Sequence, residues 1–188
     1  MTTNEYISAL GVDLYPQTES ALRTIWEQPR SKIILSGPSP SSKTTIGYLS
    51  MSILIHNLIC SPSLLHGEIV IQGPTISYAR RFRKSILDTF SLINFKYSES
   101  EDPIILSKTL SIRLASGRTN LLGINIAAYL TSEDPDTEEA LCFQNRVLSK
   151  NGIIIYDTLE DRDTAFIADK KEESITNSLV YVYEGKGR

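Results

Sequence analysis

The chain has 188 residues, 41% of them hydrophobic and 22% charged, with a formal net charge of −3. That length suits one domain with a real core, and the composition is that of an ordinary globular protein rather than a low-complexity or membrane-spanning one. The slightly acidic balance excludes an overall attraction to nucleic acid, so any polyanion contact must come from a local patch.

Residues 1–12 read as a short helix or a loose arm. "DLYPQTESALRTIWEQPR" then predicts a helix. Pro16 suits its first position, and Ala21, Leu22, Ile25 and Trp26 recur at helical spacing. Pro29 ends it. "KIILS" is a short β-branched apolar run, bounded by Gly37 and Pro38, and predicts a buried strand. "TTIGYLSMSILIHNLI" has the length and apolar period of a buried helix. "GEIVIQGP" predicts a second buried strand, and "TISYARRFRKSILDTFSLI" an amphipathic helix with a basic middle. "LSIRLASG" alternates as a half-buried strand does. "INIAAYLTSED" reads as an apolar strand ending in acids. "PDTEEALCFQNRVLS" reads as a helix whose first turn is acidic, which suits a helix N-terminus. "GIIIYDT" is another buried strand, "LEDRDTAFIADKKEES" a charged stretch, and "SLVYVYE" a last strand. Strands that alternate with helices and are nearly all apolar predict an α/β fold. Its central, mainly parallel sheet would be covered by helices on both faces.

The loop "GPSPSSKTT", between the first strand and the helix after it, carries the most chemistry. Its outline is that of a phosphate loop, G-x-x-x-x-G-K-S/T, with Ser42 in place of the second Gly. Phosphate oxygens need backbone N–H groups, a helix N-terminus behind them and a mobile cation. Gly37 lets the chain turn off the strand. Pro38, Ser39, Pro40, Ser41 and Ser42 form the body of the loop, and Pro38 and Pro40 bring no N–H. Lys43 can reach the β and γ phosphates, Thr44 can place its hydroxyl on Mg²⁺, and Thr45 continues the turn. The bland alternative is a serine cluster that caps a helix.

Four more stretches of the chain belong with that loop. Gln17 can present both donor and acceptor to an adenine edge, or it is an exposed residue of a first helical turn. In "AYLTSEDPD" an acid at the strand tip is needed for the Mg²⁺ shell and another for the attacking water. Glu133 is assigned to the water, and the metal side is shared between Asp134 and Ser132. The alternative is an acidic helix start without chemistry. Thr158 either senses the γ-phosphate or caps its strand. Arg80, Arg81, Arg83 and Lys84 form a solvated basic face, from which Arg81 could serve as an arginine finger or the cluster could touch DNA phosphates.

Cys60 and Cys142 match no metal spacing and read as reduced thiols of an intracellular protein. His56 and His66 make no ligand pair, and His56 reads as a packed or boundary side chain. No signal peptide opens the chain. Its longest apolar run, Met51 to Cys60, is too short and polar to cross a bilayer, so neither secretion nor membrane contact is expected.

In order and spacing, these features resemble the N-terminal ATPase domain of viral large terminases, the motors that package phage DNA. "YPQ" comes first, then "IILSGPSPSSKTT" and "IVIQGPTISYARRFRKSIL". "SIRLASG" with "LLGINIAAYLTSED" and "RVLSKNGIIIYDT" follow. The resemblance implies a P-loop NTPase fold of the ASCE-like kind and an ATP hydrolase using ATP and Mg²⁺. It implies that Gln17 meets adenine, Gly37 to Thr45 hold phosphates, Thr44 and Asp134 serve Mg²⁺, and Thr158 couples hydrolysis to movement. Lys43, Glu133 and Arg81 would be catalytic. The implied partners are double-stranded DNA, the portal and the small terminase subunit. A homo-oligomeric ring in the cytoplasm of an infected host cell would be the setting.

Residues 1–188 then read as a single ATPase domain: an arm over 1–12, the phosphate-loop core over 13–165, and a strand and tail over 166–188. The nuclease domain that follows in terminases has no room here, and no nuclease activity is expected. Two rivals remain: a helicase- or recombination-type ATPase on the same core, and a degenerate loop in a non-catalytic assembly subunit.

Overall fold

Nearly unbroken apolar runs place a sheet at the centre of the molecule. The computed structural model describes residues 2–37, 43–60, 67–97, 103–116, 124–131, 148–158 and 164–185. Among them, seven strands form one sheet in the order β3-β4-β2-β5-β6-β1-β7. These are β1 (Lys32–Ser36), β2 (Gly67–Gly73), β3 (Ile104–Ile105), β4 (Leu110–Ser116), β5 (Ile126–Thr131), β6 (Leu148–Asp157) and β7 (Val180–Glu184). All neighbouring strands pair parallel except β3, which runs antiparallel to β4. Strand β1, which runs into Gly37, thus sits between β6 and β7, and β6 separates it from β5.

Both faces of the sheet are covered, as continuous apolar strands require. Ile33 and Leu35, Ile69 and Ile71, and Leu130 and Ile155 point into one apolar cluster. It is closed by α1 (Thr3–Leu10), α2 (Pro16–Trp26), α3 (Lys43–Cys60) and α4 (Ile76–Leu92). Ile34, Val70, Tyr129, Ile154 and Tyr156 point the other way, where Phe166 and Ile167 of α5 (Thr164–Thr176) meet them. The period of two along each strand decides which residues face which layer.

The first residues form the short helix, not the loose arm, of the two forms that the sequence allowed, and the helix is capped. Thr2 and Glu5 cap each other, and Tyr6, Ile7 and Leu10 are buried in the main cluster. Pro16 does open α2. The charged stretch after residue 158 contains helix α5, anchored by Phe166 against Tyr156. Strand β6 starts at Leu148, so the helix expected to reach Ser149 does not extend that far. A register shift against β5 between Ile126 and Ala128 absorbs the extra β6 residues. Cys142 and His66 lie outside the described residues, as does the side chain of Cys60. No described helix is long and apolar enough to cross a membrane.

His56 of α3 is half-buried, edge-on to both Tyr6 and Phe95. Burial pushes its pKa below the ordinary 6.5. The unfolded chain therefore takes up this proton first. Stability is whole above the ordinary value and falls as pH drops through it. Between about pH 7 and pH 5 the melting temperature should fall less in His56→Gln than in the natural protein. Thermal melts across that range check this.

Candidate functional site

The parallel strands β1, β2, β5 and β6 end together at one edge of the sheet, where open α/β folds place their ligands. Leu35 pairs with Asp157, Thr131 with Tyr156, and Gln72 with Thr131. Beyond β1 the chain leaves the sheet at Gly37, whose φ is +136°. A Cβ there would lie 2.6 Å from the carbonyl oxygen of Gly185, whose own N–H donates to the Ser36 carbonyl. Only glycine suits both the backbone angle and this close approach.

Helix α3 begins at Lys43, so Lys43, Thr44 and Thr45 form its first turn. The N–H groups of a helix's first turn and the helix dipole favour an anion at this end. The Lys43 ammonium donates to the Thr158 carbonyl at 2.5 Å. The Thr44 hydroxyl donates to Oδ2 of Asp157 at 3.3 Å. The same oxygen accepts from the Tyr78 phenol at 2.7 Å. Tyr78 reaches it from the first turn of α4, and Gly73 makes the room, since a Cβ there would meet the ring at 2.5 Å. Asp157 is 3% exposed. Burial pushes its pKa above the usual carboxylate range, against the Tyr78 hydrogen bond, the Lys43 charge and the Thr44 hydrogen bond. Its other oxygen, Oδ1, is buried and has no hydrogen-bond partner among the described residues.

Lys43, Thr44 and Thr158 are thus brought together, although Thr158 enters through its carbonyl. Its hydroxyl and N–H both donate to the Leu35 carbonyl at 3.0 Å, so the side chain caps the end of β1. Gln17 is exposed in the first turn of α2, a helix that packs on α3. Arg80, Arg81 and Lys84 are exposed on α4, and Arg83 is half-buried. The described hydrogen bonds that join Lys43, Thr44, Asp157 and Tyr78 include neither Gln17 nor Arg81. Pro38, Ser39, Pro40, Ser41, Ser42, Ser132, Glu133 and Asp134 lie outside the described residues.

The sequence reading missed Asp157 and Tyr78. The signal for Asp157 was present: it ends an apolar run two residues after Ile155, and so shares that residue's face. Tyr78 carried no signal of its own, because its partner lies 79 residues away.

No protein-family model and no curated protein sequence matches the chain. Solved structures do. The large terminase of a thermophilic bacteriophage (crystal form 2) superposes with a TM-score of 0.68 at 14% identity, over 93% of this chain and 46% of that one. The large terminase of bacteriophage HK97 gives 0.66 at 12% identity, over 98% and 44%. The large terminase of the same thermophilic phage in complex with ADP (crystal form 3) gives 0.66 at 15% identity, over 92% and 45%. This chain therefore spans less than half the length of those terminases. At such identities the likeness establishes the fold: a mostly parallel seven-stranded sheet flanked by helices, as in part of the phage large terminases.

Proposed function

We propose that this chain is the ATPase part of a terminase-like motor, which hydrolyses Mg-ATP and drives double-stranded DNA into a procapsid. One observation carries the reading. Within a terminase-like sheet, a strand, a glycine-led loop and a helix bring Lys43 and Thr44 to the C-terminal end of the adjacent strand. A helix N-terminus and a mobile cation at that edge are two of the three things a phosphate needs. The residues also fit a hydrated divalent cation. Thr44 offers a hydroxyl, and Asp157 offers a buried carboxylate oxygen that no described group uses.

In this reading Gly37 turns the chain so that Pro38 to Ser42 run beside the phosphates, with Thr45 in the helical turn behind them. Lys43 exchanges the Thr158 carbonyl for the β and γ oxygens. The Thr44 hydroxyl holds Mg²⁺, with Asp134 among the acids on that side. Bound Mg²⁺ draws off the charge that builds on the transferred phosphoryl group. Glu133 orients the attacking water, and Gln17 meets the adenine edge. Thr158, capping β1 while its carbonyl receives Lys43, links the loop to β6. Arg81 is exposed one helical turn beyond Tyr78, which suits an arginine reaching a neighbour's phosphates in a homo-oligomeric ring. The portal and the small terminase subunit would be its partners in the cytoplasm of the infected host.

Phosphate release tests the chemistry. The natural protein should release phosphate from Mg-ATP. Glu133→Gln should still bind a slowly hydrolysed analogue yet turn over about 10²–10⁴-fold more slowly. Stimulation by free single-stranded nucleic acid alone would favour the helicase-type rival. No release under any condition would favour the assembly subunit.

A further inference from the structure

We propose that Asp157, at the end of β6, holds part of the water shell of a Mg²⁺ ion seated at Thr44, and that Tyr78 is its positioning residue. This rests on the nucleotide-site reading above and adds to it a metal-side acid from β6, the strand beside β1, alongside the acid that reading takes from beyond β5. The geometry is specific. The Thr44 hydroxyl that would sit on the ion donates to Asp157 Oδ2 at 3.3 Å, so the carboxylate stands one hydrogen bond behind that ligand, at the distance of the ion's water shell. Mg²⁺ dehydrates reluctantly and usually keeps several waters, so an acid that accepts from those waters is enough. The described residues hold no cluster of three or more His, Cys, Asp or Glu that would bind a metal alone.

The second oxygen makes the stronger argument. Asp157 Oδ1 is buried and has no partner among the described residues, in a side chain that is 3% exposed. Buried polar atoms are ordinarily paired, and an exception calls for an explanation such as an ion or its water. The Tyr78 phenol fixes the carboxylate by its other oxygen, leaving Oδ1 to a metal-bound water. Gly73 and the Tyr78–Phe82 ring contact hold that phenol in place. The same tyrosine stands in the first turn of the helix that carries Arg80, Arg81 and Lys84, so the metal site and the basic face share one rigid element.

The test measures metal affinity rather than turnover. Mn²⁺ replaces Mg²⁺, its binding is followed by electron paramagnetic resonance with ADP present, and ADP binding is measured separately in EDTA. Asp157→Asn should keep ADP binding in EDTA and lose about 10–100-fold in Mn²⁺ affinity. Tyr78→Phe should lose less, in the same direction, and it carries the test if Asp157→Asn does not fold. Wild-type Mn²⁺ affinity in a folded Asp157→Asn, or in Tyr78→Phe should that variant have to stand in, overturns this proposal and leaves the nucleotide site intact. If the natural protein binds ADP neither with the divalent ion nor in EDTA, the nucleotide reading fails and this proposal fails with it.

Discussion

Lys43→Ala is expected to weaken Mg-ATP binding by about 100-fold, close to 2.8 kcal/mol, the upper part of the range for a hydrogen bond to a charged group. The lysine stands at the start of α3 and already donates to the strand edge where phosphates would lie. Its replacement removes the one mobile cation of the described site. The helix N-terminus remains, so some affinity for anions should persist. The fold should tolerate the change, because the Lys43 side chain is only half-buried. Competition against a fluorescent ADP analogue checks the effect. Affinity within a few-fold of the natural protein would take the phosphate role from Lys43.

Gly37→Ala should damage both stability and binding. At a φ of +136° an alanine is strained, and its Cβ would lie 2.6 Å from the Gly185 carbonyl oxygen and 2.9 Å from the Gly185 Cα. These are backbone atoms of the segment that closes β7, and they cannot rotate away as a side chain can. The cost should be about 3 kcal/mol, which lowers the melting temperature of a chain this long by roughly 10 °C. Relief would come from parting the ends of β1 and β7, which redirects the loop leading to Lys43. Thermal unfolding and ADP binding should therefore fall together. Unchanged melting would mean that the loop leaves the sheet in another way.

Where each segment carried its own signal, the fold was legible. The runs around Ile34, Val70, Leu130 and Ile155 are apolar on both sides because both faces of the sheet are covered, and such runs read as strands. Pro16 marked a helix start by its fixed φ. Helix α5 was hidden because its Lys and Glu residues outweigh the two buried anchors, Phe166 and Ile167, in any local count. Strand β3 is two residues long and exists by pairing with β4, which no local pattern reveals.

The site divides in the same way. Lys43 and Thr44 were found by spacing along the chain. Asp157 meets Thr44 across 113 residues and Tyr78 across 79, so their association depends on strand order, not on any motif. Thr158 drew attention as the polar tip of β6, yet its hydroxyl serves the end of β1, while the aspartate before it faces the helices. Strand parity with Ile155 would have picked out the aspartate.

The central claim is that the loop from Gly37 to Thr45 cradles a nucleotide's phosphates. Calorimetric titration of Mg-ADP into the natural protein tests it most directly. The account predicts saturable binding at one site per chain, weakened when Mg²⁺ is withdrawn. Absence of binding up to millimolar ADP, with the protein folded and concentrated enough to assemble, would contradict it.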